Sequence, residues 1–154
     1  MNRYKCAVSL FVFIIFLFSS QLAVENCWSG EDTPNVHWVF CIDTSGSMKA
    51  KGHMDLLKTI TQRVSNEFLN VNNELIKTGD RITILSFDEE VRLEATSLYQ
   101  TENDLSSVKT SLQELNKRRG SLTFISEAIV QAFDVVSKYD KFFHTNALYV
   151  FTDG

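Results

Sequence analysis

Residues 36–48 read VHWVFCIDTSGSM, and this stretch joins an apolar strand to a polar loop. The first half is apolar except for His37, a pattern that predicts a β-strand covered on both faces. Strand, short polar loop and helix in this order are how open parallel α/β sheets present a binding site. The side-chain oxygens of Asp43, Ser45 and Ser47 could converge there on one hard cation, although the same residue types also form ordinary turns and helix N-termini.

Hydrophobic periodicity predicts three helices and three further strands downstream of this stretch. The expected helices cover residues 54–76, 105–115 and about 123–136, and the expected strands cover residues 81–87, 91–98 and 147–151. The second and third strands are joined only by Asp88, Glu89 and Glu90, which we expect to form a solvated turn of an antiparallel pair. The predicted fold is therefore α/β, a doubly wound, Rossmann-like and mostly parallel sheet with one antiparallel edge strand and flanking helices.

This arrangement points to two further candidate residues with side-chain oxygens, Asp153 and Thr123. The fourth strand runs into Asp153 as the first runs into Asp43, so the two carboxylates lie at one edge of the sheet if these strands are parallel neighbours. Thr123 precedes the third helix, where its hydroxyl could cap the helix or bind a metal ion.

Five motifs in this order resemble the von Willebrand factor type A (vWA) domain over residues 36–154. They are Asp-x-Ser-x-Ser-Met at 43–48, Gly-Asp-Arg at 79–81, Phe87 at the end of the second strand, Thr123 before a helix that contains Ala128, and Thr-Asp-Gly at 152–154. The resemblance implies a metal-ion-dependent adhesion site with Ser45, Ser47 and Thr123 as direct ligands. It also implies that Asp43 and Asp153 act directly or through water, and that the cation is Mg²⁺, with Mn²⁺ or Ca²⁺ as alternatives.

The function that the resemblance implies is extracellular protein binding or adhesion, without catalysis. Two carboxylates and three hydroxyls only balance the charge of a divalent cation, which leaves it open to a Glu or Asp side chain of a protein or peptide ligand. Lys49, His53, Arg118 and Arg119 are candidates to flank that ligand, with a solvated loop as the alternative for the arginines. A metal-independent interaction or assembly module and an inactive fragment are the alternative functions.

An aspartic protease is the enzyme class to consider, because residues 40–46 are similar to its Asp-Thr-Gly loop. Ser45 interrupts that motif before Gly46, and three helical patterns do not suit a nearly all-β fold. The sequence also lacks a glycine-rich phosphate loop of the common types. We therefore expect binding rather than catalysis.

The N-terminus has the pattern of a secretory signal peptide. Arg3 and Lys5 precede an apolar stretch over residues 6–18, and small and polar residues follow it. We expect cleavage near Ala23, with an uncleaved membrane anchor as the alternative, and a linker over residues 24–35. Cleavage removes two of the 15 basic residues and none of the 19 acidic ones, so the net charge changes from −4 to −6. The acidic charge of the mature chain argues against nucleic acid or anionic lipid as its main partner. We expect no membrane span in the mature chain.

Two cysteines remain after that cleavage. Cys41 lies in the apolar strand and is expected to be a buried core thiol, whereas Cys27 has no evident disulfide partner. Complete vWA domains continue with further strands and helices beyond the Asp-Gly loop, so the resemblance implies a domain truncated after its fourth strand. We expect a fragment of a longer protein, or a sheet that a partner completes, with the fourth strand as an apolar edge.

Overall fold

A computed structural model describes residues 35–49, 55–73, 75–118, 120–139 and 145–153. The expected signal peptide and all of the expected linker except Asn35 lie outside these ranges. Cys27, His53 and Arg119 lie outside them too. Among the described residues, no helix is both long and apolar enough to cross a lipid bilayer.

The described strands form one four-stranded mixed sheet. Its strands are β1 (Val36–Asp43), β2 (Arg81–Phe87), β3 (Val91–Leu98) and β4 (Thr145–Phe151), in the spatial order β3-β2-β1-β4. The central strand β1 is parallel to both β2 and β4, and β3 is antiparallel to β2 at the edge. This confirms the predicted mostly parallel sheet with one antiparallel edge strand, and β4 forms the opposite edge.

Among the described residues, three α-helices flank the sheet, namely α1 (Leu56–Arg63), α2 (Asp104–Leu115) and α3 (Ile125–Tyr139). The predicted first helix over residues 54–76 was too long. The observed helix α1 begins after Asp55, whose Oδ1 accepts a hydrogen bond from the Lys58 amide. It continues into a π-helical segment at Val64–Phe68 and then ends. Only a short 3₁₀ turn at Val71–Asn73 follows, and Leu75 is half exposed.

The core has two layers because β1 buries alternate side chains on opposite faces. Phe40 and Ile42 pack with residues of α1 and α2, whereas Val39 and Cys41 pack with residues of α3. Cys41 is a buried free thiol, as predicted, and burial raises its pKa to about 12. Helices therefore cover both faces of the sheet, which confirms the doubly wound architecture.

The parallel arrangement brings three strand ends together. The carboxyl ends of β1, β2 and β4 lie at one edge of the sheet, because both neighbours run parallel to β1. The connection from α2 to α3 reaches the same edge, where Gly120 forms an isolated β-bridge with Ser45. The residues predicted to bind a cation all lie at this edge or in the loops just beyond it.

Candidate metal-binding site

Asp43 is the innermost group of the candidate site. It ends β1 and its side chain has no exposure to solvent. Its Oδ1 accepts a hydrogen bond of 2.8 Å from the Ser45 amide, and its Oδ2 accepts one of 2.8 Å from the Thr152 hydroxyl. The Thr123 hydroxyl lies 3.5 Å from the same Oδ2. All the donors to this carboxylate among the described residues are neutral.

The two serines connect this buried carboxylate to the protein surface. The Ser45 and Ser47 hydroxyl oxygens are 3.0 Å apart, and the Ser47 hydroxyl donates a hydrogen bond of 2.9 Å to Asp153 Oδ1. Ser45 is buried, whereas Ser47 and Asp153 are exposed. The structure thus brings all five predicted residues together in a group that opens towards solvent.

A short 3₁₀ turn positions the serines. This turn, Gly46–Lys49, directly follows the β1 loop, and its Met48 side chain is buried in the core layer beneath α1 and α2. Thr44 fixes the other end of the loop, since its amide donates a hydrogen bond of 2.8 Å to the Phe87 carbonyl of β2. The loop is therefore anchored on both sides of Ser45.

The charges of this group suit a cation. Within the part of the chain that the structure describes, no ion pair includes Asp43 or Asp153. A carboxylate that is removed from water without a counter-charge destabilises the folded protein. A divalent cation among these oxygens would supply the missing positive charge, so the residues present fit such an ion.

The chemistry of the donors favours a hard cation. His, Cys, Asp and Glu side chains nowhere form a group of three or more among the described residues, so this candidate site depends on hydroxyl groups in addition to its carboxylates. Oxygen-only donor sets suit Mg²⁺, Mn²⁺ and Ca²⁺, whereas zinc sites in proteins use mainly nitrogen and sulfur.

Two of the four residues predicted to flank a ligand, Lys49 and Arg118, contact the protein itself. The Lys49 ammonium donates hydrogen bonds of 2.5 Å to the carbonyls of Asn116 and Arg118, just after α2. The Arg118 guanidinium forms a 2.7 Å ion pair with Glu94 of β3. These contacts connect the β1 loop to α2 and α2 to the edge strand. His53 and Arg119 lie outside the described residues.

The expectation that the turn at residues 88–90 is merely solvated was wrong for Asp88. Asp88 is only 3% exposed and accepts hydrogen bonds of 2.9 Å from Thr44 and 2.8 Å from Arg92. Burial alone would raise the pKa of Asp88, but the hydrogen bonds from Arg92, Thr44 and the Glu90 amide hold it below its ordinary value.

Sequence reasoning also assigned no role to the Thr152 hydroxyl, which donates to Asp43. One feature of the sequence could have indicated both Asp88 and Thr152. Asp88 directly follows β2 and Thr152 directly follows β4, and both strands were predicted to run towards the edge that carries Asp43.

The family model of the von Willebrand factor type A domain matches residues 38–154, and the chain belongs to this family. A sequence comparison with curated proteins gives no significant match.

Solved structures share the fold at low sequence identity. The three N-terminal domains of the type V pili tip protein Mfa5 from Porphyromonas gingivalis have a TM-score of 0.56 at 16% identity, over 76% of this chain and 19% of that one. The PilB minor pilin from Streptococcus sanguinis has a TM-score of 0.58 at 13% identity, over 80% of this chain and 31% of that one. A von Willebrand factor type A structure from Catenulispora acidiphila has a TM-score of 0.50 at 19% identity, over 66% and 23%. This chain thus spans less than a third of each.

Proposed function

We propose that this vWA domain binds an acidic side chain of a protein or peptide ligand through a divalent cation, preferably Mg²⁺. The observation that supports the proposal is the buried Asp43 carboxylate, which lies among neutral hydroxyl groups at the edge of the sheet and has no basic partner among the described residues. The proposed function is binding alone, without a catalytic reaction.

Each of the five residues has a distinct part in this proposal. Asp43 and Asp153 supply negative charge from the ends of neighbouring parallel strands. Ser45, Ser47 and Thr123 supply neutral oxygens, so the residues balance the charge of a divalent ion without exceeding it. When bound, the cation would supply an electrophilic centre that a ligand carboxylate can approach.

The order of exposure supports access from outside. Asp43 and Ser45 are buried, Thr123 is half-buried, and Ser47 and Asp153 are exposed. A ligand would therefore approach over Ser47 and Asp153, while Asp43 anchors the site from below. Substitution of Asp43 removes charge from the site, whereas the exposed residues are the ones in position to meet a partner.

An extracellular setting is part of the proposal. Two of the structures that share the fold are a pilus tip protein and a minor pilin. The apolar stretch at residues 6–18, if it acts as a signal peptide, would direct this chain to the same kind of location.

A calorimetric titration with Mg²⁺ and with Mn²⁺ tests the cation site. We expect one saturable site in the purified chain and a loss of affinity of at least about tenfold in Asp43→Ala, because the buried charge is gone. Asp55→Ala is the matched control, since Asp55 caps α1 outside the site and its loss should leave the affinity unchanged. A folded chain that binds neither cation, or an Asp43→Ala variant with full affinity, would contradict the proposal.

A metal-independent interaction module is the second candidate function. The outer face of α3 favours it, because Val130 is 61% exposed and Phe133 is 45% exposed. Exposed apolar side chains that are neighbours on one helix face can form part of a binding surface. Partner binding that persists in excess EDTA would support this function over the cation-dependent one.

A further inference from the structure

Three loops meet at the candidate site, and we name them by their residues. The serine loop comprises residues 44–48, the acidic turn comprises residues 88–90, and the threonine loop comprises residues 120–124. The acidic turn contains none of the five proposed ligands, yet it contacts both of the other loops. Its contacts centre on Asp88.

The Asp88 side chain connects the acidic turn to the serine loop. Its Oδ2 accepts a hydrogen bond of 2.9 Å from the Thr44 hydroxyl, and its Oδ1 accepts one of 2.8 Å from Arg92. Arg92 also forms an ion pair with this carboxylate, which is almost completely buried. Asp88 therefore ties the residue that follows Asp43 to the end of β2.

The same turn holds the threonine loop at both ends. The Asp88 carbonyl accepts a hydrogen bond of 3.1 Å from the Phe124 amide, directly after Thr123. At the other end, the Gly120 amide donates one of 3.2 Å to the Thr44 carbonyl, and Glu89 accepts hydrogen bonds from the amide and hydroxyl of Ser121.

Gly120 shows how closely the loops approach each other. A Cβ atom at this position would overlap the Asp88 side chain, so the contact requires a glycine. Thr123 lies between the two anchored ends, with its hydroxyl 3.5 Å from Asp43 Oδ2, at the outer limit of hydrogen bonding. A small movement of the threonine loop would separate Thr123 from Asp43.

We propose that Asp88 is a positioning residue that holds the threonine loop against the serine loop and so keeps Thr123 facing Asp43. The part of this inference that concerns cation binding rests on the proposed function. Asp88 would not touch the cation. It would act through Thr44 and through the backbone at Gly120 and Phe124.

Mn²⁺ titration of the full chain compares Asp88→Asn with a matched control, Asp80→Asn. Asp80 is 2% exposed and its carboxylate also accepts several hydrogen bonds. However, it immediately precedes β2, at the end of the strand that is opposite the candidate site. We expect Asp88→Asn to weaken Mn²⁺ binding about tenfold, as for outer-shell partners of metal ligands, and Asp80→Asn to leave it unchanged. Unchanged affinity in Asp88→Asn, or equal weakening in both variants, would overturn the inference.

Amide hydrogen exchange without metal supplies a second, independent measurement. The Gly120 and Phe124 amides should be protected in the parent chain and in Asp80→Asn, and should lose protection in Asp88→Asn. Gly120→Ala should produce the same loss without altering Asp88 itself. If the parent chain binds no Mn²⁺, the proposed function fails, and the exchange data still decide the inference. Retained protection of these amides in Asp88→Asn and Gly120→Ala overturns the inference, and loss of protection supports it.

Discussion

His37 shows how one buried side chain makes the stability of this domain depend on pH. Its ring lies within β1, where Nε2 is 2.9 Å from the Thr83 hydroxyl and the ring meets Tyr139 edge-on at 5.5 Å. Burial, together with the nearby positive charge of Arg81, lowers the pKa of His37 from 6.5 to about 4. The folded protein therefore keeps this ring neutral over a range in which the unfolded chain protonates it.

The free energy of unfolding should fall as the pH falls from about 6.5 to about 4, because only the unfolded state gains a proton in that range. Between about pH 7 and about pH 5 the loss due to His37 should be about 2 kcal/mol. Urea unfolding at both pH values, in the parent chain and in His37→Gln, isolates this contribution from the other titrating groups. An equal pH dependence in both proteins would contradict the assignment to His37.

Single residues of the candidate site differ in how far the sequence could predict them. Asp43 ends β1 and Asp153 comes two residues after β4, so their meeting at one edge follows from parallel pairing alone. Lys49 and Arg118 were harder to place, because a long flexible side chain can reach several partners and only the tertiary structure selects one. The part of Asp88 depends on Gly120, which is 32 residues away, and no local pattern contains that contact.

At the scale of elements, Asp80 joins the starts of two parallel strands. Its carboxylate accepts hydrogen bonds from the Val36 amide at 2.8 Å, the Trp38 indole at 2.9 Å and the Lys77 amide at 3.0 Å. Val36 begins β1, and Asp80 immediately precedes β2. The side chain thus holds the amino ends of β1 and β2 together, at the ends of these strands that are opposite the candidate site.

Asp80→Ala should lower the free energy of unfolding by about 3 kcal/mol, since it leaves several partly buried donors without an acceptor. The control is Asp104→Ala, whose exposed carboxylate also accepts three hydrogen bonds, from the amide of Gln100 and from the amide and hydroxyl of Thr101. That variant should lose clearly less than Asp80→Ala, because water can replace the lost acceptor at an exposed carboxylate. Equal losses in urea unfolding would mean that burial does not set the importance of Asp80.

Helix lengths were less predictable than strands. Apolar residues continue at helical spacing beyond Phe68, so periodicity alone extended α1 too far. Asparagines interrupt this region, and the Asn70 side chain accepts a hydrogen bond of 3.0 Å from the Asn72 amide. Such local bonds compete with helical hydrogen bonding and explain why the helix ends where hydrophobic spacing still favoured it.

For the molecule as a whole, the candidate ligands come from distant parts of the chain. Thr123 is 80 residues beyond Asp43, and Asp153 is 106 residues beyond Ser47. They meet only when β1, β4 and the connection from α2 to α3 are assembled. The unfolded chain cannot present this group of oxygens, so a cation that binds it must stabilise the folded state.

Mn²⁺ should therefore raise the thermal unfolding midpoint. At about 100 times its dissociation constant the cation would add roughly 2.7 kcal/mol, which corresponds to roughly 5–10 °C for a chain of this size. Differential scanning calorimetry with and without Mn²⁺ measures the shift, with EDTA to reverse it. Asp43→Ala should lose the shift, whereas Asp80→Ala should unfold at a lower temperature and still show it. A shift of the same size in Asp43→Ala would mean that the cation binds elsewhere on this acidic chain.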